Sequence, residues 1–117
     1  MMAVIFEVWM EGMRRDEYLQ IAAQLKSELT GVDGFISVER FESLQDPEKL
    51  LSLSFWRDEH AVAAWRNLEA HRAAQLKGRG YVFTDYRLRV ASVMRDYGKS
   101  ARDEAPPDSK VVHDRGE

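Results

Sequence analysis

The sequence predicts an α+β domain whose elements run β-α-β-β-α-β. Three observations predict it. Four short runs rich in Val, Ile, Leu, Phe and Trp have no breaker inside them. Two longer stretches place apolar residues at helical spacing. Glycine, proline or an N-capping aspartate stands at most of the joins. At 117 residues the chain has the length of one domain.

Met2 to Trp9 reads as the first strand, with Val4, Phe6 and Val8 on one face and Ile5, Glu7 and Trp9 on the other. Gly12 is expected in a loop. From about Arg14 to Thr30, Tyr18, Ile21, Ala22, Leu25 and Leu29 form the apolar stripe of a helix. Gly31 and Gly34 stop it. Gly34 to Ser43 is a second strand. Strict alternation puts Phe35 and Phe41 on one face and Ile36, Val38 and Arg40 on the other. Gln45 to Glu48 is a turn around Pro47, and Lys49 to Arg57 completes a hairpin. In that third strand Leu51, Leu53 and Phe55 oppose Leu50, Ser52, Ser54 and Trp56. Asp58 caps a helix from His60 to about Lys77, which ends at Gly78 and Gly80. Phe83 to Asp96 is the last strand, with Arg87, Arg89 and Arg95 on one side. Residues 98–117 are polar and carry Pro106-Pro107. They are expected to be a mobile tail or a dimer arm beyond a domain of residues 1–97.

The natural arrangement is the ferredoxin-like plait, a four-stranded antiparallel sheet with two helices on one face. A looser α+β layer with another strand order is the alternative. Two helices cover one face only, yet both faces carry large apolar side chains. A homodimer through the open sheet face is therefore expected.

A net charge of −3 argues against a nucleic-acid partner. Without cysteine there are no disulfides and no thiolate chemistry. No apolar run reaches membrane-spanning length, so no membrane partner is expected. The first residues lack a signal-peptide pattern, which makes the cytoplasm the expected location. His60 and His71 stand about three helical turns apart and cannot share a metal; no metal site and no cofactor are expected. No phosphate loop or serine elbow is present.

What remains is one histidine and an aromatic-walled pocket. His71 lies on a helix beside the small Ala64 and Ala74, so it either serves as acid or base or is simply half-buried. Trp65 shares a face with Val62 and Arg72, as core or as the wall of a site for a flat ligand. Trp56, Asn67, Leu68 and Arg72 join Trp65 as candidate substrate-binding residues.

Asp33-Gly34-Phe35 before a strand, and Phe55-Trp56-Arg57-Asp58-Glu59-His60-Ala61 followed by Trp65 and His71, resemble the core pattern of antibiotic biosynthesis monooxygenase (ABM) domains. The resemblance spans roughly residues 2–97. It implies a dimeric α+β barrel. It also implies a cofactor-independent monooxygenase acting on a small hydroxylated aromatic or quinol-type substrate, with His71 as the catalytic base or hydrogen-bond partner. Polyketide oxygenases of that family use a set of Asn, Trp, Tyr and Arg residues; Asn67 and Trp65 are present here, but the set as a whole does not map onto this chain. Haem-degrading relatives carry an asparagine on the first strand, where this chain has Glu7, Val8 and Trp9. Haem binding through His71, or a non-catalytic stress-related binding dimer, is the alternative reading.

Overall fold

The computed structural model describes residues 1–10, 12–78 and 84–114, with side chains for 1–10, 15–24, 26–68 and 84–110. Its elements are β1 (Met2–Trp9), α1 (Gly12–Thr30), β2 (Phe35–Glu42), β3 (Lys49–Trp56), α2 (Glu59–Gly78), β4 (Asp85–Ser92) and α3 (Pro107–Asp114). The sheet is four-stranded with order β2-β3-β1-β4, and every neighbouring pair is antiparallel. This is the ferredoxin-like α+β arrangement the sequence predicts.

The strand register decides which face carries the core. Directly opposed residues share a face, so Val4 lies between Ser54 and Val90, Phe6 between Ser52 and Leu88, and Val8 between Leu50 and Tyr86. Val4, Phe6, Val8, Leu50 and Trp56 are buried together with Tyr18 and Ile21 of α1 and Val62 and Trp65 of α2. This is the helix-covered face. The apolar stripe read on α1 thus points inward at Tyr18, Ile21, Ala22 and Leu29, whereas the Leu25 side chain lies outside the described residues.

Several boundaries differ from expectation. Gly12 opens α1 rather than standing in a loop. The first turn of a helix makes no backward N–H bond, so a glycine costs less there than in the interior. Phe35 and Phe41 do not share a face. A register irregularity between Phe35 and Ser37 moves Phe35 opposite Trp56 on the covered face and leaves Phe41 opposite Leu51 on the open one. The last strand stops at Ser92, because its partner β1 begins at Met2 and only the bond from Val93 N–H to Met1 C=O continues the pairing. Arg95 is therefore not on the strand with Arg87 and Arg89. Phe83 and Gly80 lie outside the described residues.

The polar C-terminal stretch contains structure of its own. Arg102 stacks on the Tyr97 ring at 5.4 Å and donates to Gly98 O at 3.1 Å, Ser109 O at 3.0 Å and Ser109 Oγ at 2.9 Å. One guanidinium thus ties the end of the body to the start of α3. No helix of the described chain is long and apolar enough to cross a membrane.

Candidate functional site

Two regions bear on chemistry: the layer between sheet and helices, and a groove between α1 and α2. The inner layer is built by strand alternation. β3 presents Leu50, Ser52, Ser54 and Trp56 to the helices, and its larger Leu51, Leu53 and Phe55 to the opposite side. Trp56 is wholly buried. Its indole N–H donates to Ser54 Oγ at 2.9 Å, and its ring meets Phe35 edge-on at 5.2 Å. Trp65, also buried, meets Phe6 edge-on at 6.2 Å, and Phe6 lies 6.0 Å from Tyr86. Tyr18 brings a buried hydroxyl from α1.

Ser52, Ser54 and Tyr18 thus place hydroxyl groups in an otherwise apolar, aromatic layer. Hydroxyls in such a setting can donate to or accept from an oxygen on a bound ring compound more strongly than they could in water. Arg40 adds a cation. It sits on β2 directly opposite Ser52, on the covered face, and its Nε is buried with no hydrogen-bond partner among the described residues. A guanidinium so placed suits an anionic or carbonyl oxygen, because a buried N–H without an acceptor gains from a partner that completes it.

The groove is an open depression of about 600 Å³, lined by Ser27, Glu28, Gly31 and Val32 on one side and Ala64, Asn67 and Leu68 on the other. Trp56 and Trp65 belong to the inner layer, Asn67 lines the groove, and Leu68 lines the groove while packing against the core cluster that holds both tryptophans. The side chains of His71 and Arg72 lie outside the described residues, although both positions fall on α2. Among the described residues no group of three or more His, Cys, Asp or Glu could hold a metal ion.

Sequence reasoning passed over Tyr18, Arg40, Ser52 and Ser54. The alternation Leu-Ser-Leu-Ser-Phe-Trp was the available signal, but hydrophobicity alone favours burying the leucines. Trp56 reverses the choice, since it shares a face with the serines and is the bulkiest side chain of the strand.

The residues of the family-like motif hold this scaffold together. Gly34 has φ of 90°, and a Cβ there would stand 2.8 Å from the Ala61 Cβ, so β2 can meet α2 this closely only through glycine. Arg57 grips both oxygens of Asp33 at 3.2 and 3.0 Å and reaches Asp58 at 3.2 Å. Asp58 Oδ1 in turn accepts from the Ala61 N–H at 2.9 Å and caps α2. The Arg57 guanidinium holds the Asp33 carboxyl below its ordinary range. Asp58 is lowered first by the Ala61 N–H and then by Arg57.

On the open face, Glu7 is gripped between the Lys49 ammonium and the Arg89 guanidinium. Lys49 is the larger influence in holding the Glu7 carboxyl below its ordinary range, against a smaller opposing effect of desolvation; Arg89 adds to the lowering. Lys49 also lies 5.1 Å over the Trp9 ring, whose N–H donates to Asp46 at 3.1 Å.

Comparison with known proteins agrees with this architecture. A model of the antibiotic biosynthesis monooxygenase family matches residues 1–77. A jasmonate monooxygenase of Pyricularia oryzae is 50% identical over 93 residues, covering 80% of this chain. The match takes in only 43% of that fungal protein's length. YqjZ of Bacillus subtilis, an uncharacterised protein, is 31% identical over 78 residues, 67% of each chain. Among solved structures, an antibiotic biosynthesis monooxygenase candidate from Deinococcus radiodurans aligns with a TM-score of 0.71 at 15% identity, covering 84% of this chain and 97% of its own. A Mycobacterium tuberculosis protein aligns with a TM-score of 0.69 at 17% identity, covering 83% and 98%. At these identities the solved structures establish the fold.

Proposed function

The chain belongs to the antibiotic biosynthesis monooxygenase family, and from that premise we propose that it inserts one atom of dioxygen into a small ring-bearing organic substrate, with an acid of the jasmonate type as first candidate. The observation that carries this reading is the 50% identity to a jasmonate monooxygenase over 93 residues. The inner layer supports it: Trp65 and Phe6 offer aromatic walls, Tyr18, Ser52 and Ser54 offer hydroxyls, and Arg40 offers a counter-charge for a carboxylate. His71 is proposed as the proton-transfer residue.

A second reading keeps a quinol- or anthrone-type aromatic as substrate, favoured by the edge-on Phe6–Trp65 pair that suits a flat ring. Electron balance separates the two. Hydroxylating an unactivated C–H with dioxygen consumes two electrons and two protons from a reductant and releases one water. Converting an activated ring methylene to a carbonyl takes all four electrons from the substrate carbon, so dioxygen suffices.

The test is incubation with labelled dioxygen and mass spectrometry of the products. Each candidate substrate is tried with and without a nicotinamide or flavin reductant. A product heavier by one labelled oxygen supports the proposal, and the need for reductant assigns the substrate class. Absence of labelled product from both classes overturns it. His71→Ala is expected to lower turnover by ~10²–10⁴-fold if the imidazole moves the proton.

We also propose that the working unit is a pair of chains joined through the open sheet face. Leu51, Leu53, Phe55 and Ile5 are only half-buried in the single chain, and Phe41 is 41% exposed. A contiguous apolar patch of this kind is what a second subunit covers.

A further inference from the structure

We propose that Arg15 keeps the Arg40 guanidinium free by holding Glu42 away from it, and that Arg40 thereby selects ring-bearing monocarboxylates, seated with the carboxylate at β2 and the apolar body toward β1 and α2. This inference rests on the acid-substrate reading above and deepens it: it names the group that tells a free acid from its ester, and the residue that keeps that group available.

The register draws one row across the helix-covered face, reading Arg40, Ser52, Phe6, Leu88 from β2 to β4. Neighbouring strands stand ~4.8 Å apart, which puts the Phe6 backbone ~10 Å from that of Arg40. Polarity falls along the row, from a cation through a hydroxyl to a ring and an aliphatic side chain. Phe6 meets Trp65 edge-on at 6.2 Å and lies 6.0 Å from Tyr86, so the aromatic groups gather at the end away from Arg40. Ser52, the smallest side chain of the row, stands between the two ends, with Ser54 beside it in the next row. A molecule with an anion at one end and an apolar ring at the other matches this order in one orientation only. A dicarboxylate would set its second charge against Phe6 and Trp65, and an ester would give the Arg40 guanidinium no anion.

Arg40 has an obvious partner in its own chain and does not use it. Glu42 follows it by two residues on the same face of β2, ~6.6 Å along the strand and within reach of two long side chains. Yet Arg40 makes no ion pair among the described residues, and its Nε is buried with no hydrogen-bond partner among them. Glu42 turns to α1 instead, with Oε1 3.6 Å from Arg15 Nη1. The same nitrogen donates to Pro47 O at 2.8 Å, which ties Arg15 to the turn between β2 and β3. Arg15 is thus held by a backbone carbonyl, and from that place it draws Glu42 off Arg40. An ion pair this exposed adds little to stability by itself. Its consequence lies at Arg40, where a guanidinium is left without a counter-charge. Arg15 is therefore a positioning residue that acts through Glu42.

The test measures binding of jasmonic acid, the first candidate above, and of its methyl ester by titration calorimetry on the full chain. Circular dichroism checks the fold of each variant. The wild type is expected to hold the acid ~10–100-fold tighter than the ester, the worth of one hydrogen bond to a charged group. Arg40→Met should bring the acid down to the affinity of the ester. Arg15→Gln should do most of the same, because the released Glu42 then pairs with Arg40. Adding Glu42→Gln to Arg15→Gln should restore the affinity for the acid, a rescue that a merely structural role for Arg15 would not produce. Equal binding of acid and ester by the wild type, or binding of neither, overturns the proposal without any variant. An acid preference that survives Arg40→Met overturns it as well, and so does a double variant as weak as Arg15→Gln alone. The labelled-dioxygen products judge the monooxygenase reading separately. Oxygenation of acid and ester alike, or of a quinol alone, leaves that reading standing while this selectivity falls.

Discussion

β3 has two faces of opposite character, and they are assigned against hydrophobicity. Its inner face buries Ser52 and Ser54 to 7% and 1% exposure beside Leu50 and Trp56. Its outer face carries Leu51, Leu53 and Phe55, which remain half-buried in the single chain. A strand with one wet side normally shows the reverse pattern. The inner serines persist because they have work inside the layer: Ser54 satisfies the Trp56 indole, and Ser52 stands opposite Arg40. The outer leucines persist, on the proposal above, because a second chain dries them. On that proposal, one eight-residue strand serves both the interior of one subunit and the junction of two.

Substitutions on the two faces should fail in different ways. The largest effect belongs to the inner face. Trp56→Ala leaves a cavity and orphans Ser54 Oγ; it should cost about 3–5 kcal/mol in urea unfolding followed by circular dichroism. Leu53→Asp on the outer face should instead leave the fold in place and weaken association at least 100-fold, about 2.7 kcal/mol, in a dilution series by sedimentation. If Leu53→Asp unfolded the chain without changing its mass in solution, the contrast between the faces would collapse.

Gly34→Ala comes next. The positive φ of 90° and the 2.8 Å approach to Ala61 predict a loss of about 1–3 kcal/mol, read as a lower urea midpoint with unchanged slope. The smallest effect is electrostatic. Lys49 and then Arg89 depress the Glu7 carboxyl below its ordinary 4.5. A depressed folded-state value means that its contribution to stability is present above pH 4.5 and is lost as the pH falls below it through the folded-state value. A titration of stability downward from pH 5 should show this loss in the wild type and less of it in Glu7→Gln. Added salt should shrink the difference.

The fold was legible because its punctuation is local. Gly34 answers to a backbone angle, Asp58 to a helix cap, and Asp33 with Arg57 to a clamp between two loop ends, so short motifs carry the architecture. Those same residues carry the family resemblance, and they are scaffold. The candidate site was less legible for the same reason. Its hydroxyls and Arg40 come from α1, β2 and β3, and only the register brings them to one layer. The irregularity at Phe35–Ser37 shows the limit of alternation. One extra residue reverses the face of everything on one side of it, and no residue type in Phe35-Ile36-Ser37 announces it. The helix over residues 107–114 escaped for another reason: polar composition resembles a solvated tail, and the Arg102 contacts that brace the segment join residues up to seven positions apart.

The account's central claim, that the apolar outer face is covered by a second copy, is tested most directly by the mass of the wild-type protein in solution. Multi-angle light scattering at micromolar concentration should return twice the 13.5 kDa of the single chain. A mass of 13.5 kDa at that concentration would contradict it, leaving Leu51, Leu53 and Phe55 exposed to water with no structural reason.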